Sequence, residues 1–395
     1  MAKIWIRGGH VRPVWAGHPW VYAQAVGKVE GSPEAGDIVD VLDGQDNWLG
    51  AGFYSPASAI AVRILSREPG VTIDAAFFRD RIARGQVFRK RVLGLPNAET
   101  TGYRLIHAEG DGLSGLVVDV YGDVAVIQLL TIGMKRRERE VLTALREVTG
   151  VRSIVELPST EHLEREGLAP QPVAVHGEPV EQLAFSERGF GYSLPLTAAQ
   201  KTGFYFDQRD NRARVEALSA GRRVLDACSY VGAFSLAAAR GGAREVVALD
   251  RSEAALAVAR ASAEQSGLAS RIQFQRGDLK RVLPELATRG EQFDVIVLDP
   301  PKLASSVKHL DRARKAYRAW NALAFSLAAP QSVLVTCSCS AAMQAHDFVR
   351  TLAIAAADAR REASLFELGH QAADHPTPAA FEEGRYLKAA FLRVA

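Results

Sequence analysis

The half of this sequence beyond about Gln200 predicts an α/β domain with a parallel, doubly wound sheet, preceded by a β-rich module and an α+β segment. The first support is a strand–helix alternation after Lys201. RRVLDAC, EVVALD, IQFQRGD, FDVIVLDPP and SVLVTCSCS read as strands, and FSLAAARGG and SEAALAVARASAEQSG as helices between them. Alternation on this scale implies crossover connections and a parallel sheet. The second is the texture of residues 1–70, where GDIVDVLD and AIAVRILSRE alternate with period two and Ser32-Pro33 and Asp43-Gly44 mark turns. The third is a set of acids, Asp226, Asp250 and Asp299, each at the end of an expected strand, with Asp278 just past a fourth. A doubly wound sheet binds its ligand beyond those ends.

Between the two halves, Asp74–Leu93 reads as a basic helix. Strand-like runs from 104 to 185 flank a helix over Lys135–Val148, and residues 183–198 read as a hairpin with its turn near Glu187–Gly189.

At 395 residues the chain exceeds one core, and 48% hydrophobic with 24% charged residues excludes a disordered or coiled-coil protein. The N-terminus is charged by Lys3 and carries no signal-peptide core, and runs such as Val295–Leu298 and Leu352–Ala357 are too short for a bilayer. The three cysteines make no disulfide framework or CxxC pair, so a reduced, metal-free, cytoplasmic protein is expected. A net charge of +3 permits a nucleic-acid partner. Basic residues gather at Arg79–Arg91, Lys135–Arg139 and Lys308–Arg318, either as solvated helix faces or as phosphate contacts.

The loop Asp226-Ala-Cys-Ser-Tyr-Val-Gly232 has one glycine and an acid where a dinucleotide site needs GxGxxG. That suits a ligand with an amino acid end, held by Asp226, Cys228, Ser229, Tyr230 and Gly232. Asp250 is placed to accept two ribose hydroxyls and Asp278 an adenine amino group. One such aspartate would be a helix cap or turn residue more often than not. Four at successive strand ends resemble the nucleoside-binding motifs of class I S-adenosylmethionine methyltransferases.

Asp299-Pro300-Pro301-Lys302 follows the strand FDVIVLD, and its prolines stiffen the loop that orients Asp299. Lys302 stands where enzymes that methylate exocyclic amines carry a base-stacking aromatic, which argues against amine chemistry. The next strand ends Cys337-Ser338-Cys339-Ser340. On a continuous strand both cysteines would point to one side, Cys339 nearer the ligand. Carbon 5 of cytosine is too weak a nucleophile for a methylsulfonium until a thiolate adds at carbon 6. Cys339 fits the thiolate and Asp299 the group that holds the N3/N4 edge, and the base must leave any helix to reach them.

Taken together, HPWVY (18–22), WLGAGFYSPAS (48–58), GDGLSGLVVDVYGD (110–123), QKTGFYFDQRDNR (200–212), DACSYVGAFS (226–235), DPPK (299–302), SCS (338–340) and QAADHP (371–376) resemble the RlmI-like large-subunit ribosomal RNA cytosine-5 methyltransferases. The resemblance spans nearly the whole chain. It implies a PUA RNA-binding domain (1–70), a central α+β domain (74–182), a hairpin (183–199) and a Rossmann-like methyltransferase domain (200–395). It implies S-adenosylmethionine as cofactor, large-subunit ribosomal RNA as substrate, a homodimer, and Cys339 as nucleophile with Asp299 and Lys302 beside it. It adds Phe204, Asp207, Gln208 and Arg209 as cofactor contacts. Cys337 replaces an aromatic common in the family, which leaves Cys337 and Cys339 both candidates. Two other readings stay open: methylation of another base position such as guanosine N7, and a non-catalytic RNA-binding assembly factor.

Overall fold

The computed structural model describes residues 2–169, 171–304 and 306–395, with the backbone alone of Glu161. The chain forms two compact units that exchange segments. The first takes the chain up to Gly189, Leu194–Phe204 and Ala373–Gly384; the second takes Phe190–Ser193, Tyr205–Ala372 and Arg385–Ala395.

The second unit carries the doubly wound sheet. Its strands are β1 (Arg223–Ala227), β2 (Glu245–Asp250), β3 (Ile272–Arg276), β4 (Phe293–Leu298), β5 (Ala328–Ser338), β6 (Ala363–Gly369) and β7 (Lys388–Val394). In space they run β3-β2-β1-β4-β5-β7-β6. The first five are parallel, and β7 is antiparallel to both of its neighbours. The helices are α1 (Arg209–Ala217), α2 (Ala233–Arg240), α3 (Glu253–Gln265), α4 (Leu279–Thr288), α5 (Leu310–Ser326) and α6 (Ala345–Asp358). The chain reverses its direction of winding between β1 and β4, and at such a switch point a crevice opens outside the carboxyl ends of the strands.

Local chemistry explains the elements. The apolar runs of β1, β2 and β4 belong to strands covered on both faces, and their central residues are buried. Ser252 Oγ accepts the Ala255 N–H to start α3, and Asp278 accepts the Lys280 N–H to start α4. Ala233 to Ala239 of α2 are all buried, and the alanines and Ser235 among them let the helix lie close to the sheet. Phe293, Phe325 and Phe348 sit fully buried in the core around β4 and β5.

In the first unit, strands between Ala2 and Ser66 form a six-stranded sheet, and strands between Gly102 and Gly177 a five-stranded one. The basic helix spans Ala75–Arg91, with the Asp74 carboxylate accepting the Ala76 and Phe77 N–H groups. The single helix expected over Lys135–Val148 is instead two, Ile132–Arg136 and Glu138–Thr149, the first started by the Thr131 hydroxyl at the Met134 N–H. Gln182–Glu187 and Phe190–Pro195 form a two-stranded sheet. Its turn places Arg188 and Gly189 at φ 51° and 81°, as a two-residue hairpin loop of matching twist requires.

A buried ionic network holds the first unit together. Arg89, 0% exposed, pairs with both oxygens of Asp111 and donates to the carbonyls of Arg104 (2.9 Å) and Asp374 (2.7 Å). Asp374, from the segment Ala373–Gly384, accepts the Arg104 N–H through one oxygen and touches His375 with the other. A side chain at Gly110 would place its Cβ 1.9 Å from the Pro376 carbonyl, so only glycine lets this segment pass. Further along it, Phe381 packs edge-on against Trp20, and Glu383 accepts from Tyr22.

Removing one partner of such a pair strands a buried charge. Arg89→Met is therefore expected to cost about 3–5 kcal/mol in urea unfolding. Arg84→Met, which breaks an exposed pair with Asp80, should cost under about 1 kcal/mol. Equal effects of the two would refute the network's role.

Candidate functional site

The loop leaving β1 is held in an unusual conformation. Cys228 and Tyr230 lie at φ 68° and 51°, in the left-handed region, where a side chain costs roughly 1–2 kcal/mol per residue. Hydrogen bonds to the neighbouring strand fix them. The Tyr230 N–H donates to Asp250 (2.8 Å) and the Ser229 N–H to the Leu249 carbonyl (2.9 Å). The second Asp250 oxygen accepts the Ser252 N–H at 2.8 Å. Gly232, at φ 71°, opens α2, and a Cβ there would meet Ala259 at 2.8 Å. The loop's one glycine is thus required by backbone conformation and by contact with α3.

The four strand-end carboxylates converge electrostatically. Burial pushes the Cys228 thiol up, and Asp299, Asp250, Asp226 and Asp278 all push it further. Asp226 is 0% exposed; burial raises its carboxyl to about 7, with Asp299 and Asp250 adding to the shift. The Ser235 hydroxyl donates to one Asp226 oxygen at 2.6 Å, while the other oxygen has no partner. The buried Ser229 hydroxyl also has none. Orphaned acceptors in a field of carboxylates suit a cationic ligand that brings donors, and repel a diphosphate. An amino acid ammonium and a sulfonium meet that description. Asp278 is exposed and caps α4.

A second group comes from residues 205–211. The Gln208 amide donates to Asp299 at 3.0 Å, and its oxygen accepts from Asn211 at 2.7 Å. Asp207 accepts the Tyr386 hydroxyl at 2.7 Å, and the Arg209 guanidinium stacks over Phe206. Phe204 belongs to the first unit, where its ring packs on Phe185 at 5.0 Å and its N–H donates to the Tyr121 hydroxyl. Lys302 is exposed on the loop after Asp299.

The two cysteines of the next strand differ sharply. The pairing of β5 with β7 ends at Ser338 opposite Lys388, so Cys339 lies in a turn beyond the strand and the alternation expected of 337 and 339 does not apply. Cys337 is 0% exposed, and burial pushes its thiol well up, with Asp299 adding to the rise. Cys339 is partly exposed. Its turn is anchored on both sides. The Ser340 N–H faces the Ser338 hydroxyl, Ser340 Oγ accepts the Ala304 N–H at 3.1 Å, and the Ser340 carbonyl accepts the Lys388 ammonium at 2.8 Å. Tyr317 of α5 reaches Ser340 Oγ at 3.4 Å. Lys388, Ser340, Tyr205 and Tyr317 escaped sequence reasoning. Only Lys388 left a signal, a charge within the apolar strand KAAFLRV.

The basic runs are largely neutralised. Arg314 pairs with Asp311 and Asp347, Arg318 with Asp358, and Arg136 with Glu34 and Asp37, while Lys308, Arg312 and Lys315 are exposed. Trp15 is 73% exposed, whereas the Trp20 indole donates to Glu109. Among the described residues one group has metal-ligand spacing, Glu138, Glu156 and His176. The Lys135 ammonium already lies on both of its carboxylates, at 2.9 and 2.8 Å. No helix among the described residues is long and apolar enough to cross a membrane.

Comparison with known proteins identifies the family. A PUA-like domain matches residues 4–67, and the S-adenosylmethionine-dependent methyltransferase family matches residues 131–380. The chain is 40% identical over 392 residues to ribosomal RNA large subunit methyltransferase I of Aeromonas salmonicida, covering 99% of this chain and 98% of that one. It is 39% identical to the protein of the same name from Tolumonas auensis, over 95% of each chain. SMU.776, solved in complex with SAH, shares the fold over 100% of both chains, with a TM-score of 0.85 at 21% identity. Its cofactor is S-adenosylmethionine, and the chain belongs to the S-adenosylmethionine-dependent methyltransferases, in the family of the ribosomal RNA large subunit methyltransferase I proteins.

Proposed function

We propose that this protein forms 5-methylcytidine in large-subunit ribosomal RNA through a covalent adduct between Cys339 and carbon 6 of the base. The observation that carries the reading is the partly exposed Cys339 on a turn anchored by its two flanking serines, beside a fully buried Cys337. The ribosomal RNA substrate is carried over from the relatives' name, with the PUA-like module as the RNA-binding part.

Bound S-adenosylmethionine supplies an electrophilic methyl group. Asp226, Asp250 and Asp278 would hold its ammonium, ribose and adenine, with Cys228, Ser229, Tyr230 and Gly232 shaping the loop beneath. Asp207, Gln208 and Arg209 line the approach, and Phe204 sits at the start of that segment. The Cys339 thiolate adds to carbon 6, forming the sulfur–carbon bond and moving the ring's π electrons onto carbon 5. Asp299, held by Gln208, bonds the N3/N4 edge, and Lys302 offers a cation to the neighbouring phosphate or base. Carbon 5 takes the methyl group, the bonding pair staying on the cofactor's sulfur as the neutral thioether S-adenosylhomocysteine, and then loses its proton to a water acting as base. The carbon 6–sulfur bond breaks, and the thiolate returns. Exposed Lys308, Arg312 and Lys315 are the phosphate contacts that remain from the basic runs.

RNA containing 5-fluorocytosine cannot lose a proton from carbon 5, so it should trap the adduct. Wild type and Cys337→Ala are expected to give the covalent band on denaturing gels, and Cys339→Ala none. An active enzyme that forms no band would exclude the covalent route, and activity surviving in the double variant Cys337→Ala/Cys339→Ala would favour another base position.

Asp226 generates a pH prediction. Its folded value, near 7, is raised from 3.8, and the neutral acid cannot accept a cationic ligand's charge. Cofactor affinity should therefore rise roughly tenfold from pH 6 to pH 8 through this group, as its ionised fraction rises. In calorimetry, Asp226→Asn should bind weakly and lose that component. An unchanged slope in the variant would detach Asp226 from the cofactor.

A further inference from the structure

β7 reads KAAFLRV, and its first residue is a lysine 3% exposed, whereas the strand's other charge, Arg393, faces solvent. Burying an ammonium is costly unless an anion accompanies it. Among the described residues no carboxylate lies within ion-pair distance of Lys388. Its hydrogen bonds go to two carbonyls, those of Ser340 and Tyr386, each at 2.8 Å. An ammonium has three N–H donors, so one remains. The charged neighbour recorded for this lysine is Cys339.

We propose that Lys388 is a positioning residue for the nucleophile: its buried ammonium ties down the turn that carries Cys339 and supplies the positive charge that favours the Cys339 thiolate over the thiol. The inference rests on the reading that Cys339 is the nucleophile. Burial draws Lys388 down to about 8, and interaction with Cys339 pulls it back up. Attraction between opposite charges is mutual, so the ammonium in turn stabilises a thiolate at Cys339.

Three groups that interact with Cys339 bring no positive charge to it. Tyr205, on the segment before α1, and Tyr317 on α5 are pushed up by burial and remain neutral. Cys337 on β5 is likewise held as a thiol. Asp299, on the loop after β4, is an acid whose charge raises both tyrosines and Cys337, and Asp207 adds to Tyr205 and Cys337. Lys302 on that loop is exposed, and water screens its charge. A buried cation tied to the residue after Cys339 opposes that negative field. At pH 7 a group titrating near 8 is still about nine-tenths charged.

The test is the pH dependence of iodoacetamide alkylation at Cys339, read by peptide mass spectrometry on the full-length protein. Wild type should show a midpoint below that of free cysteine, about 8.5. Lys388→Met should raise it by about one unit or more, and Lys388→Arg, which keeps the charge, should restore most of the shift. An unchanged midpoint in a folded Lys388→Met would overturn the proposal and leave the lysine a structural anchor. If that variant does not fold, the wild-type midpoint decides alone, and a value at or above 8.5 overturns it. Alkylation is independent of methyl transfer. Full activity in Cys339→Ala would remove the nucleophile reading, while the alkylation shift would still report on Lys388.

Discussion

The carboxylate of Asp250 organises the cofactor end of this protein. One oxygen receives the N–H of Tyr230 and the other that of Ser252. A single side chain therefore pins the loop after β1 and the start of α3 to the end of β2. With the bond from the Ser229 N–H to the Leu249 carbonyl, the first of these bonds holds Cys228 and Tyr230 in left-handed conformations that side chains disfavour. That loop conformation puts Gly232 at the mouth of α2, against Ala259, and leaves one Asp226 oxygen and the Ser229 hydroxyl without partners. The order of cause runs from one carboxylate, through a strained loop, to a set of vacant acceptors. Oxygens used this way retain lone pairs, so the structural role of Asp250 does not compete with the ribose-binding role proposed for it.

A second constraint is covalent. The chain leaves the second unit after Ala372, contributes Ala373–Gly384 to the first unit, and returns at Arg385 to begin β7 at Lys388. Within the first unit this segment is gripped by Arg89, the Arg104 N–H and Trp20, and it passes Gly110 with no room for a side chain. QAADHP and HPWVY, far apart in sequence, therefore serve one purpose in part: Asp374 and His375 from one, and His18, Trp20 and Tyr22 from the other, hold this segment.

What could be read from the sequence was what has a period or a strong local signal. The strand–helix alternation gave the doubly wound sheet because the central strands carry apolar runs and each helix follows within a few residues. The Arg188-Gly189 turn was visible because a glycine sat between two alternating runs. The strand-end acids were visible because four of them recurred at equivalent places. The rest depended on contacts between distant residues. Arg89 looked like one member of a basic helix face, and nothing local distinguishes it from the exposed Arg84; only its pairing with Asp111 and the Asp374 carbonyl separates them. The end of β5 was missed for a similar reason. A strand ends where its partner ends, and the partner, β7, lies fifty residues further along the chain. Period two was extended one residue too far, and Cys339 was placed on a face of a strand when it sits in a turn.

That one-residue difference matters chemically. Cys337, still on the strand, is sealed from solvent, and burial holds its thiol neutral. Beyond the last pair, the backbone of the turn no longer bonds to β7 as a strand, and side chains take over: Ser338, Ser340 and Lys388 fix its path. The charge pattern then divides by position along the crevice. Acids crowd the ends of β1, β2 and β4, and a buried ammonium stands on β7, the strand beyond β5, tied to the residue after Cys339. On the proposed reading the first group faces a cationic cofactor and the second a thiolate; interchanged, the same charges would repel the one and protonate the other.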